Sequence, residues 1–184
     1  MDASVDGVTL MSGHVFDVLG AYRSYEKSCP RLFEMAHDLD PLRPEAPCSI
    51  ALYNDVCRWI ERHLGRTSIV QAGRVAGRRL YWQMTRDGKI GSDPHQMLDE
   101  LCRMQGRLVN DPRRRGWEIL ERGRERVVIR RTQTFNCMLQ EGLLASLLEH
   151  ANVLVPAVRH LRCTRDGAEF CEYEITWSPA RKRR

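Results

Sequence analysis

The chain has 184 residues, enough for one domain with a hydrophobic core and a short extension. Hydrophobic residues make up 42% of it and charged residues 29%, which is typical of a globular protein and excludes an intrinsically disordered one. No segment approaches the roughly 18 consecutive apolar residues that a membrane-spanning helix needs.

The net charge of +5 permits a basic surface but does not require nucleic acid as a partner, and direct nucleic-acid binding is not expected. The first residues contain no basic segment, so we expect no secretory signal and a cytoplasmic protein. Seven cysteines, an odd number, disfavour a disulfide framework there and favour buried thiols together with metal ligands. The basic run Arg181–Arg184 is predicted to be a solvated terminus, with contact to an acidic partner or nucleic acid as the alternative.

Residues 1–48 are predicted to form a helical extension that ends in a loop. The apolar residues from Val15 to Leu19 predict a first helix, and those from Leu32 to Ala36 a second, with Pro30 between them. The segment DPLRPEAPC, with three prolines, then indicates a linker-like loop.

The next helices are predicted from their caps. Ser49 is a good N-cap for a helix that ends at Gly65, and Ser68 is predicted to cap the following one. Gly73 and Gly77 lie four residues apart in that second helix, a spacing that permits close packing against another helix. The Asp93-Pro94 pair predicts the start of a third helix, whose apolar stripe continues to residue 108.

Beyond residue 112 the hydrophobic pattern becomes alternating. Trp117–Leu120 and Val127–Ile129 predict two strands joined by a turn at Gly123. Leucines between residues 139 and 148 then indicate another amphipathic helix.

The last 25 or so residues predict a β-hairpin with its turn at Asp166-Gly167. In its second strand, alternate residues share one face: Cys171, Tyr173, Ile175 and Trp177. The order of elements predicts an α+β fold in which a twisted antiparallel sheet packs against helices. We assign this domain to residues 49–178, and residues 179–184 to a basic tail.

Four residues near this hairpin could bind one metal ion. Cys163 and Cys171 flank the turn and, if directly opposed, lie about 5 Å apart. With Cys137 and His160 they form a Cys3His set, which suits tetrahedral zinc. His160 can join only if the strand is bulged, because a regular strand points it away from Cys163. The alternative is that the three cysteines are buried as small hydrophobic residues.

The segment 116–177 resembles the 4-vinyl reductase domain, a small-molecule-binding module also found in phenol-responsive bacterial transcription activators. The resemblance is carried by FNCMLQEGLLASLLEH and VPAVRHLRCTRDGAEFCEYEITW, with a Cys, a short Gly-containing turn and then Cys-Glu-aromatic. It implies a structural zinc held by Cys137, His160, Cys163 and Cys171, with His160 at the position where the phenol-responsive relatives have Glu.

The resemblance also suggests an oligomeric state. Related folds occur in subunits of the TRAPP vesicle-tethering complexes and, more distantly, in bacterial haem nitric-oxide sensors. Because such folds often pair through N-terminal helices, we expect a homodimer through the helices between Ser49 and Leu108. A further protein partner is also possible.

For function, the resemblance favours a sensor over an enzyme. The chain has no GxGxxG, P-loop or nucleophile-elbow motif, and zinc closed by four protein ligands is structural. We therefore expect a non-catalytic sensory or adaptor module, regulatory in a bacterium, that binds a small hydrophobic or aromatic ligand between sheet and helices. The candidate pocket residues are Trp82, Trp117, Phe135, Tyr173 and Trp177. The alternative is that these aromatic side chains are plain core.

Three other functions stay open. One is an enzyme or accessory protein of tetrapyrrole metabolism, which would need a cofactor. Another is a structural assembly subunit with no ligand, which would have a solid core. The third is a haem-based sensor that uses one of four histidines as its iron ligand: His14, His37, His63 or His150.

Overall fold

The computed structural model describes residues 4–86, 91–151 and 153–179, so the basic run at the end of the chain lies outside the described residues. Within them, no helix is both long and apolar enough to cross a membrane. The α-helices of this part of the chain are α1 (Gly13–Gly20), α2 (Pro30–Glu34), α3 (Ile50–Leu64), α4 (Arg66–Thr85), α5 (Pro94–Leu108) and α6 (Cys137–Glu149).

Polar side chains begin three of these helices. Ser49 caps α3 and Asp93 precedes α5, both as predicted, and Asn136 accepts two backbone hydrogen bonds at the start of α6. The predicted cap at Ser68 is wrong, because α4 already begins at Arg66. The residue between α3 and α4 has a φ of 89°, which turns the chain sharply enough for the second helix to start at once.

Four strands form the main sheet: β4 (Trp117–Arg122), β5 (Arg126–Arg131), β6 (Val153–Arg162) and β7 (Cys171–Pro179). Their spatial order is β4-β5-β7-β6, and every neighbouring pair is antiparallel. The predicted face of β7 is buried in the core, and Gly167 turns the β6-β7 hairpin with a φ of 85°. The predicted α+β class, with an antiparallel sheet packed against helices, is confirmed.

A second, small sheet was not predicted. It consists of β1 (Thr9–Met11), β2 (Pro47–Ser49) and β3 (Val109–Asn110), in the order β2-β1-β3. Strands of two or three residues are too short to show an alternating pattern. This sheet joins the first 48 residues to the start of α3 and the end of α5, and the division of the chain at residue 48 stays a prediction.

Helices α4 and α6 pack backbone to backbone through glycine. A Cβ atom at Gly73 would lie 2.0 Å from the carbonyl oxygen of Leu139, and one at Gly77 would lie 2.3 Å from that of Leu143. From the other helix, a Cβ at Gly142 would lie 2.0 Å from the carbonyl oxygen of α4 residue 70. The close packing predicted from the glycine spacing is therefore confirmed.

Both edges of the main sheet are irregular. The pairing register shifts in β4 between Ile119 and Glu121, and in β6 between Leu154 and Ala157 and again between residues 160 and 162. Val155 has a φ of 48°, a conformation that β-branched residues rarely adopt, and it is followed by a proline. The irregular segment of β6 is also the more exposed one, since 82% of the Val155 surface is accessible.

Candidate functional site

Three cysteines meet where α6 begins and the hairpin closes. Cys137 is the first residue of α6, Cys163 directly follows β6, and Cys171 is the first residue of β7. All three are buried, and their sulfur atoms lie within 4.8 Å of one another. The sulfur atoms of Cys137 and Cys171 are 3.6 Å apart.

A buried arginine lies against this cluster. Arg131 is 1% exposed and pairs directly with Cys171 across β5 and β7. Its Nη2 donates to the Cys171 sulfur at 3.3 Å. The hydrogen bond between the two sulfurs lowers the pKa of Cys171, with a further contribution from Arg131, and raises the pKa of Cys137. The arrangement therefore favours ionisation of Cys171 over Cys137, next to the buried guanidinium.

Sequence analysis missed Arg131, although the strand contained a signal for it. Val127, Ile129 and Arg131 alternate along β5, so all three point to the same buried face. A charged residue that continues an inward-facing apolar series needs an opposite charge nearby. The Nε and Nη1 of Arg131 are also buried, and neither has a hydrogen-bond partner among the described residues.

His160 lies beside the cysteine cluster without entering it. Its Nδ1 is 3.3 Å from a Glu141 oxygen, and its ring lies 4.4 Å from that of Tyr173. The strand irregularity that its participation would require is present, because the pairing register shifts directly after His160. Burial lowers the pKa of His160, and its Nε2 has no hydrogen-bond partner among the described residues.

A separate cavity of about 80 Å³ lies between the helices and the main sheet. It is lined mainly by apolar side chains, including Leu80, Leu101 and Leu143. Trp117 and Phe135 contribute to its wall.

The other three predicted pocket residues lie elsewhere. Tyr173 is fully buried between Trp117 and His160, and its hydroxyl donates to the carbonyl of Cys137 at 3.4 Å. Trp177 packs against the ring of His95 in a different surface depression. Trp82 is 62% exposed, because it lies on the outer face of α4.

A few polar groups converge on the cavity. Gln133 and Gln140 are each 4% exposed, and the Nε2 of His14 is buried with no hydrogen-bond partner in the described part of the chain. Burial, and secondarily the charge of Arg79, lowers the pKa of His14. The cavity thus presents amides, an imidazole and the carboxylate of Asp17.

These residues do not fit a haem. Of the four histidines considered for iron, His14 is the one that lines the cavity; His37 and His63 are exposed, and His150 Nδ1 bonds to the carbonyl of Ser146. Pockets for drug-sized ligands have about 300–1,000 Å³. Haem is larger than such ligands, so a cavity of about 80 Å³ cannot hold it.

Solved H-NOX structures resemble this chain. An H-NOX protein from S. oneidensis in the Fe(II)NO ligation state has a TM-score of 0.68 and 15% identity, covering 91% of this chain and 99% of its own. The unliganded Fe(II) H-NOX protein from K. algicida has a TM-score of 0.61 and 10% identity, covering 95% and 100%. A trafficking protein particle complex subunit 3 from Naegleria fowleri, covalently bound to palmitic acid, reaches only 0.48, which supports no conclusion. No protein family and no curated protein matches the sequence.

These comparisons correct two predictions. The resemblance to the 4-vinyl reductase domain is wrong, since no family model matches the sequence and the solved structures described above that share the fold are H-NOX proteins. The prediction of structural zinc as the cofactor is also wrong, because these neighbours are described as Fe(II) proteins. The geometry adds a physical reason: a structural zinc needs four protein ligands, and only the three cysteines are grouped here among the described residues. At this level of identity the comparisons show one thing, that the chain has the fold of the H-NOX proteins.

Proposed function

We propose that this chain is a non-catalytic sensor or adaptor module that binds a small apolar molecule in the cavity between the helices and the sheet. The observation that carries the proposal is the cavity itself, with its apolar wall and its few converging polar groups. Small domains rarely keep such a space, because each missing methylene costs about 1 kcal/mol.

The cavity volume limits the ligand. A cavity of about 150 Å³ lined by apolar side chains admits benzene or xenon. The cavity here is about half that size, so the ligand has few heavy atoms or displaces part of the wall. His14, Gln133 or Gln140 would offer hydrogen bonds to one polar group on it.

The cavity wall connects ligand binding to the rest of the molecule. Its residues come from both sheets and from α1, α3, α4, α5 and α6. A molecule that fits between these elements would favour one arrangement of the helices over another, which is how a ligand shifts a conformational equilibrium. The helices expected to form a homodimer are among them.

Xenon and benzene test the cavity directly. Both should shift the NMR signals of methyl groups around Leu80 and raise the melting temperature, since a ligand that binds the folded state stabilises it. Ala76→Leu fills the cavity from α4 and should abolish both effects. Gln71→Leu adds apolar volume on the exposed side of the same helix and should leave them intact. Equal binding by both variants would contradict the proposal.

Haem binding is the competing hypothesis for this cavity. Added haemin should produce no absorbance band that depends on His14, because the cavity is too small. A haem spectrum that is lost in His14→Ala but kept in His37→Ala would replace the proposed apolar ligand by haem.

The homodimer is a further part of the proposal. Light scattering at micromolar concentration should give about twice the chain mass of 21.3 kDa. A mass equal to one chain would contradict it.

The predicted metal-ligand set of Cys137, His160, Cys163 and Cys171 also remains a proposal, whatever ion these residues bind. The three grouped sulfur atoms and the unpartnered Nε2 of His160 support it. Elemental analysis of protein purified without added metal should find an ion that is lost in Cys163→Ser. The ion should remain in Cys57→Ser, which alters an equally buried thiol away from the cluster. Protein without any bound ion would contradict the set.

A further inference from the structure

A second concave surface lies on the other side of Phe135. It is a cleft of about 660 Å³ between α3, the start of α4, the β5-α6 connection and the turn after β6. Phe135 lines both this cleft and the apolar cavity. The cleft has about eight times the volume of the cavity and falls within the 300–1,000 Å³ range of small-molecule sites.

Most of the charged side chains that line the cleft are arginines. Four arginines from three elements line it: Arg58, Arg62, Arg66 and Arg165. Glu61 is the one acidic residue among the described residues that line it. The cleft therefore attracts anions, and its concave shape strengthens this field.

Three of these arginines are held in place by ion pairs that leave most of their donors free. Arg58 pairs with Asp55, Arg66 with Glu141 and Arg165 with Glu61, each through one terminal nitrogen. A guanidinium has five N–H donors, so one such bond leaves the others available to a ligand. No ion pair joins Arg62 to an acidic side chain anywhere in the described ranges.

Two uncharged groups in the cleft lack hydrogen-bond partners. The Oδ1 of Asn54 and the Oγ1 of Thr134 are buried, and neither has a partner among the described residues. The amide of Asn54 is fixed by its other end, because its Nδ2 donates to the carbonyl of Thr134. Buried polar atoms of folded proteins are almost always hydrogen-bonded, so these two favour a ligand that carries hydroxyl groups.

We infer that this cleft binds a phosphorylated small molecule that bears hydroxyl groups, of the sugar phosphate class. Arginine suits phosphate because its planar donors match two phosphate oxygens at once. The amides at the start of α6 add nothing to the site, since Asn136 already accepts hydrogen bonds from two of them. The volume favours a small molecule over the flat face of an acidic protein.

Calorimetry at low salt with ribose 5-phosphate tests the inference. The wild-type chain should bind it, bind inorganic phosphate more weakly and not bind ribose. Arg62→Gln should weaken ribose 5-phosphate binding about tenfold, the usual effect of losing one charge-assisted hydrogen bond. Arg31→Gln removes another exposed charge, which pairs with Glu34 outside the cleft, and should bind as the wild type does.

Thr134→Val distinguishes recognition of the hydroxyl groups of the ligand from recognition of its phosphate. It should reduce the preference for ribose 5-phosphate over inorganic phosphate while leaving phosphate binding unchanged. Equal weakening by Arg62→Gln and Arg31→Gln would overturn the inference, since binding would then follow net charge. Failure of ribose 5-phosphate to bind at millimolar concentration would overturn it too. So would Arg62-dependent binding of polyglutamate in its place, which would mark an acidic protein as the partner. Circular dichroism and melting temperature confirm that each variant is folded.

Discussion

Helices α4 and α6 pack against each other without space at their crossing and border unfilled volume beside it. Around Gly73 and Gly142 their backbones touch, and there is no room for a single methyl group. Beside this crossing, Ala76 and Leu143 line an internal space of about 80 Å³. The core thus leaves no space between the two helices from Gly73 to Gly77 and leaves volume unfilled beside this crossing.

The difference shows that packing density here is local. At the crossing, the absence of side chains lets the backbones meet. At the cavity, side chains from several elements leave a space between them. Adding a methyl group should therefore force the helices apart at the crossing, whereas shortening a side chain in the wall should enlarge the cavity.

Gly73→Ala should have the largest effect. The new Cβ would lie 2.0 Å from the Leu139 carbonyl oxygen, so one helix must move or unwind. Overpacking of a core costs about 1–3 kcal/mol and more where backbone is the obstacle, so we expect a loss of about 3 kcal/mol or more. Urea denaturation measures it.

Gly106→Ala is the matched control for this change. Gly106 is also inside a helix, α5, but a Cβ there meets nothing within 4 Å. Alanine should stabilise the protein by about 0.5–1 kcal/mol, the ordinary difference in helix propensity. A similar loss in both variants would mean that the crossing is no tighter than an exposed helix face.

Leu80→Ala should have the next largest effect, because it enlarges the cavity. Leu80 is 7% exposed and lines the cavity wall, so its truncation should cost about 2–4 kcal/mol. The added volume should also tighten benzene binding, and denaturation with and without benzene reports both quantities. Leu42→Ala, at a residue that is 88% exposed, should change neither. Loss of stability without any gain in benzene binding would argue that the wall collapses into the space.

His14 should give a smaller, pH-dependent effect. The pKa of His14 is lowered in the folded protein, so the unfolded chain takes up a proton at a higher pH than the native state. The stabilising contribution is therefore complete above about pH 6.5 and is lost as the pH falls toward the lower folded value. The slope from one group is at most about 1.4 kcal/mol per pH unit.

His14→Leu should flatten this slope in denaturation curves measured at successive pH values. Part of the slope should remain, because burial lowers the pKa of His160 in the same direction. His37→Leu, at an exposed site, should leave the full slope. Identical slopes in the wild type and His14→Leu would show that the imidazole beside the cavity is not desolvated.

Much of the fold follows from local sequence signals. The starts of α3 and α5 could be predicted from Ser49 and Asp93, because a cap is a bond between near neighbours in sequence. The hairpin followed from strict alternation and from Gly167. The cap predicted at Ser68 was wrong because the turn at Gly65 allows α4 to begin earlier, at Arg66.

The sites were less predictable because they join distant elements. The proximity of Cys163 and Cys171 could be predicted from the hairpin, whereas the wall of the cavity comes from both sheets and five helices. Trp82 and Trp117 both belong to apolar patterns, but tertiary packing places the first outside and the second in the wall. The basic cleft was missed because Arg165 joins Arg58, Arg62 and Arg66 only in the folded chain, from about a hundred residues further along the sequence. The family resemblance depended on cysteine spacing and hairpin alternation, which another family with a similar hairpin can also satisfy.

The irregular edges of the main sheet have a consequence for how these molecules can meet. A straight outer strand has a row of free N–H and C=O groups with which another extended chain can pair, and such pairing is a common first step toward fibrous aggregates. The register shifts in β4 and β6, together with the left-handed Val155 and the proline after it, interrupt both rows. Strand-by-strand stacking of neighbours is thereby hindered on either side. Copies of this protein can therefore crowd together with little tendency to extend this sheet from one molecule to the next.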